Sequence, residues 1–451
     1  VALIERDLMG GDCLNVGCVP SKAVIAASRS NTGSAQADSG GFDSESQNNR
    51  FKAAMERMRR LRAEIAPHDS ADRFRDLGVD VYFGAAAFTT SSSVQIDSSH
   101  GDRTLDFRKA LIATGARASA PPIAGLETID YLTNETVFSL TDLPARLGVI
   151  GSGPIGCELS QAFANLGSQV YLFERGDRVL SAEDPDASHL VLEALQRDGV
   201  QVKLGANDIQ LNKTDRGISI STASGETIVD KLLVAVGRAP NVDGLGLENA
   251  GVKFSPRGVE VNDYLQTTNS SIYAAGDVCS QFKFTHAADF QARAVIQNAL
   301  FAIGPIGRRK SSDLIIPWAT YTTPEVAHVG LTAAEVKSRG SEIDTYTQPF
   351  SGVDRNLLEG DSTGYVRVYT PRGRDTILGA TIVGHRAGDM ISELTLAMSA
   401  GIGLSKIGSV IHPYPTSADA IRRLGDQYSK TRLTSHTRRL LSTLMRLNVG
   451  T

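Results

Sequence analysis

A glycine-rich turn between two apolar strands constrains the fold of this chain more than any other feature. Leu147–Ile150 is a short apolar segment typical of a buried strand, and it leads into GSGPIG at 151–156. A helical segment follows to about Leu166, and a second apolar strand at Gln169–Phe173 ends on Glu174. Strand, glycine loop, helix, strand and terminal acid together predict a parallel dinucleotide-binding unit, with a glycine turn in an unrelated α/β unit as the alternative. The glycines predicted to lie against the nucleotide are Gly151, Gly153 and Gly156.

The chain also contains an internal repeat of a strand that ends in glycine. Residues 109–117 read KALIATGAR, and residues 231–238 read KLLVAVGR. Two such strand endings predict two nucleotide-binding folds, one inserted in the other. The chain opens on an apolar run, 1–4, followed by Glu5. This pattern is typical of the second strand of such a fold, with its acid placed for a ribose hydroxyl.

Two of the four cysteines, Cys13 and Cys18, lie close together in GGDCLNVGCVPSK at residues 10–22. A structural disulfide stabilises mainly by closing a long loop of the unfolded chain, and this pair would close almost none. A structural zinc site needs four ligands, usually as two nearby pairs, and the sequence has no second pair, so we expect no resident metal. The spacing indicates a redox-active dithiol, with a chance pair of buried thiols as the alternative. Cys157 and Cys279 are predicted to be small buried side chains.

Residues 10–22 resemble the redox-active motif of the class I pyridine nucleotide-disulfide oxidoreductases, the flavoprotein disulfide reductases. The resemblance continues to about residue 430. It implies that Cys13 exchanges with substrate and that Cys18 lies against the flavin ring as a thiolate, which a helix N-terminus favours. It also implies an ion pair of Lys22 with Glu158, in which the lysine stabilises the reduced flavin. A surface salt bridge of little consequence is the alternative.

The resemblance implies FAD and either NADH or NADPH as cofactors. Ser271–Asp277 resembles the second flavin motif, in which the aspartate accepts a hydrogen bond from the ribityl chain; a surface turn is the alternative. Glu174 favours NADH because a carboxylate would repel a 2′-phosphate, although Arg175 and Arg178 resemble the cations of NADPH-dependent members. The residues expected at the FAD are Glu5, Gly11, Lys22, Thr114, Gly115 and Asp277. Those expected at the nicotinamide nucleotide are Gly151, Gly153, Gly156, Glu174, Arg175 and Gly237.

Members of this family carry a strand and a GxGxxG loop before the position that Val1 occupies here. That loop seats the FAD pyrophosphate on a helix N-terminus. We expect the sequence to be incomplete at its start; the other interpretation is a chain that lacks its main phosphate-binding loop.

The segment His412–Asp419, HPYPTSAD, resembles the HxHPTxxE motif of dihydrolipoamide dehydrogenases. Tyr414 takes the place of the histidine that acts there as acid and base, and Asp419 takes the place of the glutamate that orients it. His412 lies two residues earlier, more than about 6 Å away along an extended chain. Tyrosine is a poor base at neutral pH, but mercuric reductases carry it at this position. The resemblance is therefore to the mercuric-reductase-like branch, although the paired C-terminal cysteines of that enzyme, soft ligands for Hg²⁺, are absent from the sequence.

The predicted fold class is α/β, with two nested Rossmann-like dinucleotide-binding domains and a C-terminal α+β dimerisation domain. Residues 31–50, rich in Ser, Gly, Asn and Asp, are predicted to form an exposed excursion without order of its own. A helix with basic and apolar faces is predicted at 51–65. The predicted domain limits are 1–120 and 245–310 for FAD, 121–244 for NAD(P), 311–430 for dimerisation and 431–451 for a basic tail.

Composition excludes several functional classes. The net charge of −4 gives no field that favours nucleic acid. No apolar run approaches the roughly 18 residues of a membrane span, and no signal peptide is visible. Four cysteines in this placement suit a reducing compartment. We therefore expect a cytoplasmic homodimer that acts on a small-molecule oxidant, with an active site completed by the partner subunit, as in the family.

The tail from Ser429 contains five Lys and Arg residues and no acid. Its leucines, at 440, 441, 444 and 447, are spaced to share one helical face. A solvated or dimer-packed helix is the favoured interpretation, and a membrane-surface or partner-binding helix is the alternative.

These observations predict an FAD-dependent NAD(P)H oxidoreductase. Electrons would pass through the flavin to the Cys13–Cys18 disulfide and on to an unidentified disulfide, metal or related acceptor. Mercuric reductase, which converts Hg²⁺ to Hg⁰, and dihydrolipoamide dehydrogenase are alternatives within the same chemistry. An inactive, flavin-poor subunit with a binding or structural role is the alternative from another class.

Overall fold

The computed structural model of the chain describes residues 1–35, 44–99, 101–338, 340 and 342–449. Two compact units are formed. The first comprises Val1–Leu180 and Leu195–Leu314, and the second comprises Ser181–Ala194 and Ile315–Thr451. The finer limits of the FAD, NAD(P) and dimerisation domains stay predictions.

The first part of unit one combines a parallel strand pair, an antiparallel sheet and a helical layer. β1 and β2 pair in parallel, whereas β3, β4 and β5 pair antiparallel. The α3 side chains at 51, 54, 55 and 58 are buried, and this spacing makes one apolar stripe on a helix. The elements are β1 (Ala2–Glu5), α1 (Gly11–Asn15), α2 (Cys18–Ala35), α3 (Ser44–Ile65), α4 (Ala71–Asp76), β2 (Asp80–Phe83), β3 (Ala85–Phe88), β4 (Ser93–Asp97), β5 (Arg103–Asp106), β6 (Ala110–Ile112) and β7 (Ala116–Ala118).

The prediction of an exposed excursion at 31–50 is wrong at both ends. Residues 31–35 are the end of α2, and residues 44–50 begin α3; residues 36–43 lie outside the described part of the chain. The Asn48 side-chain oxygen accepts the Leu143 N–H at 2.9 Å. Extending a helix that is already packed costs less than nucleating one. The buried stripe of α3 therefore orders polar turns that could not order themselves.

The middle of unit one contains the predicted glycine-loop unit. The sheet order β10–β9–β8–β14 is entirely parallel, which confirms the strand–loop–helix–strand pattern at 147–174. β11, β12 and β13 form an antiparallel sheet, and β15 pairs with β7. The elements of this stretch are β8 (Arg146–Ile150), α5 (Pro154–Leu166), β9 (Gln169–Phe173), α6 (Pro185–Arg197), which belongs mostly to unit two, β10 (Gln201–Lys203), β11 (Gln210–Thr214), β12 (Gly217–Thr222), β13 (Gly225–Val229), β14 (Lys231–Val234) and β15 (Arg238–Pro240).

The last part of unit one brings the second predicted flavin motif beside the first copy of the internal repeat. β18 pairs in parallel with β6, with Ile272 opposite Ala110. The turns that follow these two strands therefore leave from the same end of the pair. The elements are β16 (Phe254–Ser255), β17 (Gly258–Val259), β18 (Ile272–Ala274) and α7 (Thr285–Ile296).

Unit two is an antiparallel sheet followed by helices. The strand order is β19–β20–β23–β22–β21, and its core includes Val366, Val368 and Ile382 together with Leu394 and Leu424 from the helices. Within the described ranges, no helix is both long and apolar enough to cross a bilayer. The elements are β19 (Pro317–Thr320), β20 (Glu325–Gly330), α8 (Ala333–Ser338), β21 (Ile343–Pro349), α9 (Asp354–Leu358), β22 (Tyr365–Pro371), β23 (Gly379–Gly384), α10 (Ala387–Ser399), α11 (Leu404–Ile407), α12 (Asp419–Thr431) and α13 (Ser435–Val449).

Candidate active site

The two cysteines of the predicted dithiol lie where two helices meet. Cys13 is in α1, and Cys18 is the first residue of α2. A side chain at Gly17, between them, would come within 2.8 Å of the Asp12 carbonyl oxygen, so only glycine fits this close turn. The Cys18 Sγ lies 3.5 Å from the hydroxyl oxygen of Thr285, at the start of α7.

The environments of the two thiols push their pKa values apart. A hydrogen bond from Cys13 lowers the pKa of Cys18 to about 6; Thr285 and Lys22 assist, while burial opposes the shift. The same hydrogen bond, followed by burial, raises the pKa of Cys13. At neutral pH the reduced pair therefore holds one proton on Cys13 and a thiolate on Cys18. This asymmetry matches the roles expected of the two cysteines, which stay predictions.

The predicted ion pair between Lys22 and Glu158 is present. The Lys22 Nζ and the Glu158 Oε2 are 2.8 Å apart, and the carboxylate side chain is only 4% exposed. Lys22 follows Cys18 by four residues on α2, so both side chains lie on one face of that helix. A carboxylate this deeply buried requires a charged partner, which excludes the surface-salt-bridge interpretation. The role of the pair beside a flavin stays a prediction.

A cavity of about 370 Å³ opens beside Cys13, and its lining includes Glu5, Gly10 and Thr285. Gly10 has φ +88°, and a Cβ there would come 2.4 Å from the Leu14 side chain. The Glu5 carboxylate at the end of β1 accepts the Asp7 N–H at 2.8 Å. An apolar cavity with the Glu5 carboxylate and the Cys13 thiol at its wall fits a flavin nucleotide.

Asp277 of the second flavin motif lies in the turn after β18, and burial raises its pKa. The Arg238 Nε lies 3.3 Å from the Asp277 Oδ2, and the same guanidinium pairs with Asp12, next to Cys13. Arg238 stands at the end of the internal repeat, where the sequence pattern predicted no role for it. The structure shows that it links the turn of the second flavin motif to the dithiol loop.

Thr114 and Gly115, also expected at the FAD, form the turn between β6 and β7. The Thr114 hydroxyl donates to the Asn241 carbonyl oxygen at 2.8 Å, and Gly115 has φ +68°. Gly11, the remaining FAD candidate, has φ +55° in the turn before Cys13. The two glycines adopt left-handed backbone conformations and Thr114 is held by its hydrogen bond, whereas the contacts of all three with FAD stay predictions.

Two of the three glycines in the loop at 151–156 leave no room for a side chain. A Cβ at Gly151, which has φ +100°, would come 2.6 Å from the Ala235 carbonyl oxygen, and one at Gly156 would come 1.9 Å from the Gly151 carbonyl oxygen. Gly153 has open space beside it, which leaves room for a phosphate at the N-terminus of α5. Gly237 has φ +139° in the turn between β14 and β15.

Glu174 is held at the end of β9 by three hydrogen bonds. Its Oε2 accepts the Ser152 N–H and hydroxyl at 3.0 and 2.6 Å, and its Oε1 accepts the Gly176 N–H at 2.7 Å. Partial burial alone would raise the pKa of Glu174, but these bonds and the charge of Arg175 outweigh it and lower the pKa. The carboxylate is therefore ionised beside the glycine loop. Sequence reasoning missed Ser152 as its anchor.

In the structure, the candidate residues of the C-terminal motif bond to partners that the sequence did not predict. The Tyr414 hydroxyl donates to Asp354 Oδ2 at 3.0 Å, and this bond raises the pKa of the 75% exposed phenol. The His412 Nε2 lies 2.9 Å from the Glu393 Oε1. Neither Asp354 nor Glu393 has a local sequence signal, because each lies on a distant helix of the same unit.

Asp419, expected to orient the acid/base, forms ion pairs with two arginines. Its two carboxylate oxygens accept from Arg422 at 2.8 Å and from Arg423 at 2.5 Å. Burial alone would raise the pKa of Asp419, but these bonds outweigh it and lower the pKa. Asp419 begins α12 and is bonded to side chains one turn further along the same helix. The orienting role of Asp419 stays a prediction; within this chain the carboxylates that contact Tyr414 and His412 are those of Asp354 and Glu393.

The two remaining cysteines are separate from this site. Cys157 is fully buried, and its Sγ donates to the Ser152 carbonyl oxygen at 3.1 Å. Cys279 is half-buried, and burial raises its pKa to about 12. Cys157 is therefore buried as predicted, whereas Cys279 is only partly so.

Comparison with known proteins identifies relatives over nearly the whole chain. It is 34% identical over 427 residues to a mercuric reductase of Staphylococcus aureus, covering 94% of this chain and 77% of that protein. It is 34% identical over 424 residues to a dihydrolipoyl dehydrogenase of the same species, covering 92% of this chain and 88% of that protein. The two relatives bear the names of the two alternatives that the C-terminal motif left open.

Solved structures give the same fold. A Cu(II) complex of the HOCl-induced flavoprotein disulfide reductase RclA from Escherichia coli aligns with a TM-score of 0.82 at 27% identity, covering 95% of this chain and 93% of that chain. LpdA from Mycobacterium tuberculosis aligns with a TM-score of 0.85 at 24% identity, covering 95% and 93%. These likenesses confirm the predicted fold class.

Residues 1–292 match the family described as pyridine nucleotide-disulphide oxidoreductase. Residues 316–424 match the dimerisation domain of the same family, which supports a homodimer. FAD and NAD(P)H are the cofactors of this family, as predicted. The chain therefore belongs to the pyridine nucleotide-disulphide oxidoreductases.

Proposed function

We propose that the chain is an NAD(P)H-dependent flavoprotein reductase that delivers electrons through Cys13 and Cys18 to a soft metal ion or a disulfide. The observation that carries this proposal is the difference in pKa between the two cysteines, which holds Cys18 as a thiolate and Cys13 as a thiol. Bound FAD supplies the means to pass two electrons from a reduced nicotinamide to the disulfide. Lys22, fixed by the buried Glu158, supplies a positive charge on the same helix face as Cys18.

The remaining work falls to the two thiols. Cys13 lines the cavity, so it is the cysteine placed to exchange with an acceptor, and its proton is retained until exchange begins. Cys18 keeps a thiolate ready because Cys13, Thr285 and Lys22 all favour its charged form. A thiolate of this kind attacks disulfides and binds soft metal ions. We place this chemistry in the cytoplasm, where thiols stay reduced.

Tyr414 is the residue that favours a metal ion over dihydrolipoamide. Its hydroxyl donates to Asp354, and that bond raises its pKa further from neutrality. A group in this state is a hydrogen-bond donor and a poor proton acceptor. We propose that Tyr414, on the partner subunit of the homodimer, assists exchange at Cys13 without acting as its base. The name mercuric reductase among the relatives supports this interpretation.

The acceptor can be tested by steady-state turnover of the FAD-loaded protein. We expect Hg²⁺ with excess small thiol to support NAD(P)H oxidation, and dihydrolipoamide to reduce NAD⁺ slowly. Tyr414→His should raise the dihydrolipoamide rate by about tenfold, since an imidazole restores a base of suitable pKa. Tyr414→Phe is the matched control that removes only the hydroxyl and should gain nothing with dihydrolipoamide.

Each contrary outcome has a definite meaning. Rapid dihydrolipoamide oxidation by the unmodified protein would make it a dihydrolipoamide dehydrogenase in which Tyr414 is no obstacle. Failure to retain FAD, with no turnover of any acceptor, would support the inactive, flavin-poor subunit. Reduction of small disulfides alone would exclude the metal ion.

For the nicotinamide nucleotide, we expect a higher kcat/KM with NADH than with NADPH. Glu174 is ionised and fixed by Ser152 and Gly176, so a 2′-phosphate beside it would meet a negative charge that cannot move away. Glu174→Gln should narrow the ratio of the two kcat/KM values by about tenfold. Equal use of both nucleotides by the unmodified protein would contradict the preference.

A further inference from the structure

The C-terminal helix α13 lies beyond the segment that matches the dimerisation domain, which ends at 424. It is 15 residues long, and all its side chains are exposed except that of Thr437, which is half-exposed. Successive residues on a helix are about 100° apart. Five of its six large apolar side chains therefore fall within an arc of about 160°, and Val449 lies outside that arc. The members of this apolar arc are Leu440, Leu441, Leu444, Met445 and Leu447.

The opposite side of α13 is basic. Arg439 and Arg446 lie opposite the centre of the apolar arc, and Arg438 lies at its edge. No acid occurs between Gln427 and the end of the helix, in a chain whose net charge is −4. The helix therefore combines an uncovered apolar arc with a charge of one sign.

This combination specifies the kind of surface that would cover it. Nucleic acid binds basic side chains but gives no place to five large apolar ones. The interior of another protein would bury the leucines, but the arginines have no acid on α13 to neutralise their charge there. An anionic lipid surface receives both, since the apolar arc enters the acyl boundary while the arginines meet phosphate headgroups.

We propose that α13 is a membrane-surface helix that lays this flavoprotein on an anionic phospholipid bilayer. The helix lies in the interface and does not span it, consistent with its length of about 22 Å. The inference is independent of which acceptor the dithiol serves.

The test is co-sedimentation of the full, FAD-loaded protein with vesicles. The probes are vesicles of phosphatidylcholine alone and vesicles containing 30 mol% phosphatidylglycerol, mixed at moderate ionic strength with protein in parallel. We expect sedimentation with the anionic vesicles only. Arg439→Gln together with Arg446→Gln should lower the partition coefficient by about 30-fold, about fivefold per charge. Leu444→Gln should lower it by about tenfold.

Ser442→Gln is the matched control, because it lies on the polar side of the same helix and removes no charge. It should sediment like the unmodified protein. Equal sedimentation with neutral vesicles, or none with anionic vesicles, would overturn the proposal. The proposal would also be overturned if the unmodified protein did not bind vesicles and Leu444→Gln changed the mass of the oligomer. A second copy of the chain would then be what covers the apolar arc. Binding of RNA in place of vesicles would overturn it as well.

Discussion

Cys13→Ser is expected to lower turnover with thiol-dependent acceptors by roughly 10³-fold or more, because it removes the nucleophile that meets the acceptor. Transfer from NAD(P)H to a dye that accepts electrons directly from flavin should continue, since the other residues of the cavity wall and the Lys22–Glu158 pair are unchanged. The comparison of the two rates in one variant separates loss of the thiol from loss of the fold.

The same variant should reveal the state of Cys18. A serine hydroxyl can still donate to the Cys18 sulfur, and Thr285 and Lys22 still favour its charge. With FAD bound, we expect absorbance at wavelengths beyond the flavin band, without any reductant, from the thiolate against the ring. Because the pKa of Cys18 is lowered to about 6, this absorbance should be present at pH 8 and be lost as the pH falls through about 6.

Cys279→Ala is the control for the loss of a thiol as such. Its sulfur lies outside the cavity lining, and burial holds its pKa at about 12. It should retain full turnover and the unmodified spectrum. Full turnover of Cys13→Ser with a disulfide or metal acceptor would contradict the proposed route, as would long-wavelength absorbance that does not change between pH 8 and pH 5.

Local patterns in the sequence predicted the elements but not the partners of the site residues. The spacing of apolar residues in α3 and the glycine loop before α5 each depend on neighbours within a few turns, and both are confirmed. Thr285, which contacts Cys18, is 267 positions away along the chain. Such a partner is chosen by packing, and a single sequence carries no signal for it.

The same reason explains why the carboxylates bonded to Tyr414 and His412 were not predicted. Asp419 lies in the expected motif, but Arg422 and Arg423 follow it at helical spacing and form ion pairs with its carboxylate. The carboxylate that bonds Tyr414 comes from α9, 60 positions earlier. The ends of helical segments also escaped prediction, since residues 44–50 are polar and become helical because the apolar stripe of α3 that begins at Phe51 is packed.

Glu183, which lies in no recognisable sequence motif, is a buried titratable group of unit two. It is 5% exposed, one oxygen accepts the Trp318 indole N–H at 2.7 Å, and the other oxygen is buried without a hydrogen-bond partner. Asp184 beside it accepts the Tyr369 hydroxyl at 2.5 Å. Burial, assisted by the charge of Asp184 and opposed by the Trp318 bond, raises the pKa of Glu183 to about 7.

A raised carboxyl pKa gives a definite pH dependence of stability. Below about pH 4 the residue is protonated in both the folded and unfolded states, so its contribution to the free energy of unfolding is fully present. As the pH rises from about 4.3 to 7, the unfolded chain ionises first and stability is lost, by about 3 kcal/mol in total. Above pH 7 both states are ionised and the loss stays constant.

Glu183→Gln is therefore expected to remove this loss. An amide keeps an acceptor oxygen for the Trp318 N–H and carries no charge, so the variant should gain about 2–3 kcal/mol over the unmodified protein at pH 8 and little at pH 4.5. The chain has one tryptophan, and it donates to Glu183 itself. Its fluorescence during urea unfolding at a series of pH values therefore reports on this part of the molecule.

Glu193→Gln, ten residues further on in α6, is the matched control, because that side chain is 59% exposed and pairs with His189 at 3.1 Å. Its unfolding midpoints should follow those of the unmodified protein at every pH. Parallel curves for Glu183→Gln and the unmodified protein between pH 5 and 8 would show that Glu183 does not titrate in this range. Curves that converge at low pH and separate through neutrality would show that the buried carboxyl takes up a proton on folding. Unit two would then lose stability over the same pH interval in which Cys18 gains its thiolate.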